Sequence, residues 1–170
     1  MEANPPKTGK FSLNYGLILG GLGVIFGLML FMSDAHTSQS PVNSIISILM
    51  SIGVIFWGIL NFRKANEGFL SIGEALKLGA GIALIAGIVS VLYVIILSNV
   101  LDPDFPSKMM DARLADVAGD FTPEQLQQQK EMGLKFWWFG YPVILIVNII
   151  IGLIIGLVGG LIFKKVQPDY

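Results

Sequence analysis

The sequence predicts an all-α fold: an integral membrane bundle of four transmembrane helices, with a periplasmic helical hairpin between the third and fourth. Three observations carry this. Hydrophobic residues make up 54% of the chain and charged ones only 14%, which is the balance of a membrane protein. The apolar residues lie in four blocks, each long enough to cross about 30 Å of hydrocarbon. Small residues recur every four positions in these blocks, marking faces where helices in lipid approach closely. The chain reads as one domain, residues 1–170, with spans at about 11–32, 42–62, 72–101 and 136–163 and an extramembrane insert at 102–135.

Residues Met1 to Lys10 are polar, contain Pro5-Pro6, and are expected to be a short disordered lead. Lys7 and Lys10, the apolar run after them and Ser33-Asp34-Ala35 together imitate a signal peptide. The run is about twice the length of an ordinary signal core, so the segment is expected to stay as an anchor. It carries Gly16, Gly20, Gly23 and Gly27, two Gly-x-x-x-Gly pairs. The loop Ser33 to Pro41 holds His36, the one histidine, which has no second ligand at fitting spacing and is expected to be solvated. The second span opens with a polar stripe, Ser44, Ser47 and Ser51, and closes near Phe56 and Trp57.

Asn61 to Leu70 is a basic turn with Arg63 and Lys64. Ser71 and Glu74 form a capping-box pattern, which predicts a helix starting near Ile72. Glu74 and Lys77 are spaced for an ion pair one turn apart. Ala75, Gly79, Ala83 and Gly87 then line one face of the third span. Asp102-Pro103-Asp104 stops that helix. In the insert, Met110, Leu114 and Val117 share a helical face. Gly119-Asp120 breaks the helix, and Thr122-Pro123 starts a second one. Phe136 to Phe139 form an aromatic belt, and Pro142 is expected to kink the start of the fourth span. There Asn148, Gly152, Gly156 and Gly160 repeat every four residues, with Asn148 expected to bond to a neighbouring helix.

Basic residues set the orientation. The lead, the second loop and the tail carry Lys7, Lys10, Arg63, Lys64, Lys77, Lys164 and Lys165, whereas the first loop has none. Both termini are therefore expected in the cytoplasm and 102–135 in the periplasm, in a bacterial inner (cytoplasmic) membrane. No charge lies in the central part of a span, which argues against a proton- or sodium-driven transporter. The chain has no Cys, so thiolate chemistry is excluded. Asp102, Asp104, Asp111, Asp116 and Asp120 lack the spacing of a calcium loop and are expected to form a solvated acidic face. No nucleophile–base pair or phosphate loop is recognisable, so no catalytic, cofactor-binding or metal residue is assigned and no cofactor is expected. Net charge −1 with dispersed lysines speaks against a nucleic-acid partner. The expected partners are the lipid bilayer and a protein partner or second copy.

Several short motifs carry a resemblance. Tyr15, Gly16 and Gly20 open the first span; Gly68, Ser71, Gly73, Glu74 and Ala75 precede the third; Asp102 to Asp104 follow it. In order and spacing the chain resembles an uncharacterised family of four-span bacterial membrane proteins, a domain of unknown function found chiefly in Bacteroidetes, from about Phe11 to Lys165. The resemblance implies four spans, an inner-membrane location and a periplasmic third loop. It carries no activity, and it draws interest to Ser71, Glu74, Asp102 and Asp104 as possible functional residues. The expected role is a non-enzymatic accessory or scaffold subunit of a membrane complex. The alternatives are a small transporter or channel component lined by Asn148 and the serine stripe, and a membrane enzyme acting on lipid through the Asp102–Asp104 turn.

Overall fold

The computed structural model describes residues 6–166. Expectations for Met1 to Pro5 and for the tail after Val166 lie outside the described residues. Six α-helices follow one another: α1 (Thr8–Met32), α2 (Pro41–Ala65), α3 (Ile72–Ile96), α4 (Phe105–Ala115), α5 (Pro123–Lys135) and α6 (Gly140–Phe163). A π-helical turn, Leu97–Leu101, extends α3, and a 3-10 turn, Trp137–Phe139, precedes α6. Four of these segments are long and apolar enough to cross a membrane. A helix of 25 residues is roughly 37 Å long, so α1, α2 and α3 each exceed the hydrocarbon thickness. The protein is an all-helical, multi-pass membrane protein.

The helix ends follow local rules. Ser71 Oγ accepts from the Glu74 N–H at 3.2 Å, and the Glu74 carboxylate accepts from the Ser71 N–H at 2.8 Å. That carboxylate is committed to the cap, and no Glu74–Lys77 ion pair forms, contrary to the spacing argument. α1 starts at Thr8, so Thr8 to Lys10 are helical and not part of a disordered lead. α2 runs past Phe62, which puts Arg63 and Lys64 on its last turn beside the orphan carbonyls. Beyond it, Glu67 and Gly68 take positive φ, and the Gly68 N–H donates to Arg63 O at 2.8 Å in a Schellman closure. Pro142 sits in the first turn of α6, where its missing N–H removes no helical bond. The helix therefore begins around this proline, and the expected kink has no cause.

α3 is the central element, with α1 and α6 along its two sides. The α1–α3 seam closes where Gly16 meets Ile85, Gly20 meets Val89 and Gly27 meets Tyr93. Gly23 meets nothing within 4 Å, so only three of the four glycines serve the seam. The α3–α6 seam is tighter and runs backbone against backbone. Gly79 lies against Gly152 and Gly156, Ala83 against Gly152, and Ala75 against Gly156 and Gly160. Gly87 packs on Leu145 and Asn148. In lipid such seams are held by dispersion between closely approaching backbones.

The buried core lies toward the termini. Ile55, Ile59 and Phe62 of α2 meet Leu78 and Ile82 of α3 there. Leu70 and Lys165 pair their backbones in a single antiparallel bridge that ties the second loop to the end of α6. Toward the hairpin end α2 leaves the bundle. Its buried residues all fall between Val54 and Phe62, and from Ser44 to Leu49 every residue is exposed.

Candidate functional site

The hairpin end carries the polar cluster of the molecule. Pro103 ends the third span, and Asp102 leaves helical geometry at φ −144°. Its N–H still donates to Leu97 O at 2.7 Å, closing the π turn, and its carbonyl accepts from the Phe105 N–H as α4 begins. The side chain turns inward. Asp102 Oδ1 and Oδ2 each accept from Lys108 Nζ at 2.8 Å, and Oδ2 bonds His36 Nε2 at 2.9 Å. The His36 and Asp102 side chains are each only 9% exposed, whereas Lys108 reaches in from solvent. His36 is therefore not solvated, and Asp102 is not part of a solvated acidic face. A buried carboxylate requires partners, and a lysine one turn into α4 and a histidine 66 residues earlier supply them.

Aromatic rings enclose the pair. His36 lies edge-on to Phe31 at 5.1 Å and stacks on Phe105 at 5.9 Å; Phe105 meets Trp137 edge-on at 5.8 Å. Hydrogen bonds from Lys108, and then from His36, hold the Asp102 carboxyl below the usual carboxylate range, and the same contact raises the Lys108 ammonium. With Asp102 ionised, His36 Nε2 is the donor. Gln39 adds a second tie by donating to Met109 Sδ at 3.1 Å. Chemically, the arrangement fastens the first loop, the end of α3 and the base of α4 into one junction.

The other singled-out residues do not join it. Ser71 and Glu74 form the cap at the opposite end of the third span, roughly 45 Å away by helix length. Asp104 is exposed and caps nothing with its side chain. Asp111 pairs with Lys130 across the hairpin at 2.6 Å, an exposed ion pair of little energetic weight. Among the described residues the carboxylates and His36 do not gather into a group of three or more placed to hold a metal. Asn148 donates to Ile144 O within its own helix at 2.8 Å. The expected interhelical bond is absent; the amide donates to the carbonyl one turn back instead. Ser47 and Ser51 likewise donate to carbonyls one turn back, Asn43 O and Ser47 O.

Beside the junction lies a cavity of about 460 Å³, which composition and spacing did not indicate. Helices α4 and α5 cover it, the aromatic turn flanks it, and Val94 of α3 with Val143 and Ile144 of α6 floor it. Its walls are Phe105, Met109, Met110, Phe136 and Trp137, and Arg113 is the one charged lining residue. Gly133 lets α5 settle on Met110. Trp138 faces outward, Phe136 and Phe139 are half-exposed and still line the cavity, and Trp137 turns in. Three buried polar atoms among the described residues lack a partner: His36 Nδ1, Tyr93 Oη and Trp137 Nε1. Two belong to the junction and its aromatic wall, and the third is the neighbour of Val94.

Residues 14–165 match a family described as a protein of unknown function, DUF4199. No curated protein and no solved structure matches the chain.

Proposed function

Because the chain belongs to the DUF4199 family, whose description brings no activity with it, we propose that it is a non-enzymatic accessory or scaffold subunit of a membrane complex. The observation that supports this is the exposed hairpin-end stretch of α2. From Ser44 to Leu49 that helix is exposed on every side, and Ser44 and Ser47 place small side chains on it. A stretch of span that is exposed within the chain and carries small residues suits a partner helix approaching closely. The fastened hairpin beside it adds a rigid extramembrane surface. The transport reading is weaker, because backbone contacts between Gly79, Gly152 and Gly156 close the α3–α6 seam that a path along Asn148 would need.

A photo-crosslinking residue at position 47, activated in native membranes, is expected to give one adduct of discrete mass. The same residue at position 154, on the exposed face of α6, is expected to give none. Equal yields at both positions, or no protein adduct at 47, would remove the basis of this reading.

We place the protein in a bacterial inner membrane, with both termini cytoplasmic and the α4–α5 hairpin periplasmic, on the distribution of basic residues. The absence of native Cys allows a direct test. A single Cys at Asp116 is expected to react with an impermeant maleimide added from outside, and one at Asn66 only after the membrane is opened. The reverse pattern contradicts the orientation.

A further inference from the structure

We propose that the cavity under the hairpin binds one acyl chain of an anionic phospholipid, whose phosphate lies at the rim beside Arg113 and Lys135. This is independent of the α2 surface. The cavity volume, about 460 Å³, falls in the range of ligand sites, and the walls are apolar side chains with two flexible methionines. The floor is made by the hairpin-end turns of two membrane spans, Val94 on α3 and Ile144 on α6. The exposed rings of Phe136, Trp138 and Phe139 mark the headgroup level around it. The cavity thus sits where an acyl chain gives way to a polar head.

The rim charge selects the head. Arg113 lines the cavity, and Lys135 lies over the Phe136 ring at 5.8 Å. Neither has an ion-pair partner among the described residues, and no carboxylate lines the cavity. One unpaired cation in the lining of an apolar chamber, and a second over the Phe136 ring that also lines it, complement a phosphate above an acyl chain. Trp137 also lines the chamber, and its N–H is buried without an acceptor.

The test is native mass spectrometry of the full chain released from nanodiscs of equal phosphatidylcholine and phosphatidylglycerol. The expected result is one retained phosphatidylglycerol per chain, preferred roughly tenfold over phosphatidylcholine. The Arg113→Gln/Lys135→Gln double variant is expected to retain the two lipids equally. Ile144→Trp, which fills the floor, is expected to retain neither, and unchanged melting of either variant shows that it is folded. Equal retention by the native chain, or preference surviving in the folded double variant, would each overturn the proposal.

Discussion

Replacing Gly79 with valine is expected to abolish the folded bundle. A side chain at this position is driven into the backbone of α6, at the Gly152 carbonyl and at Gly156. Neither is a flexible side-chain end that can swing away, so relief requires the two central helices to separate. Overpacking a tight site costs about 1–3 kcal/mol even where side chains can move; here the loss should reach or exceed the upper end. Thermal melting in mild detergent checks it, with Gly23→Val as the matched control. Gly23 meets nothing within 4 Å, so its variant should melt with the native protein. Equal destabilisation by the two substitutions would mean that the α3–α6 seam is not what holds the bundle.

The second large effect is expected from Asp102→Ala. Removing this carboxylate leaves the His36 ring buried without its acceptor and frees Lys108 from the junction. An unsatisfied buried polar group costs about 1–3 kcal/mol. The loss should fall on the hairpin base, because α1, α3 and α6 are held by other contacts. Hydrogen exchange in α4 should therefore quicken by roughly tenfold to hundredfold, while the α3 core stays protected. The pH dependence follows from the direction of the shifts. The Asp102 carboxyl is depressed, so its contribution is present above the ordinary carboxylate range and is lost as pH falls through the lowered value. The Lys108 ammonium is raised, so its contribution is present below the ordinary lysine range and is lost only as pH rises through the raised value. Asp102→Ala should lose the acid limb.

The parts of this architecture that were legible in the sequence are the local ones. Four spans follow from block length, because hydrocarbon sets the length of a helix. The Ser71–Glu74 cap and the Thr122 cap are legible because their partners lie three residues away. The same locality explains two errors. Glu74 was free on paper to pair with Lys77, and Asn148 to reach across to another helix. In each case the side chain bonds a nearer backbone group instead. The junction was not legible, since His36 and Asp102 lie 66 residues apart and only the packing of the first loop under α4 brings them together. Nor does spacing say what a small residue faces. Gly23 and Gly27 form a motif pair as good as Gly16 and Gly20, yet only Gly27 meets α3. The cavity depends on Trp137 turning inward, where its ring meets Phe105 of another helix.

Determining the composition and mass of the complex recovered from native membranes in mild detergent tests the accessory-subunit reading most directly. The reading predicts a discrete assembly in which a second polypeptide accompanies this chain in fixed ratio, and in which a tryptophan at position 47 displaces that polypeptide without unfolding the chain. Recovery of this chain alone, or paired only with itself, with lipid as its sole companion, would contradict it.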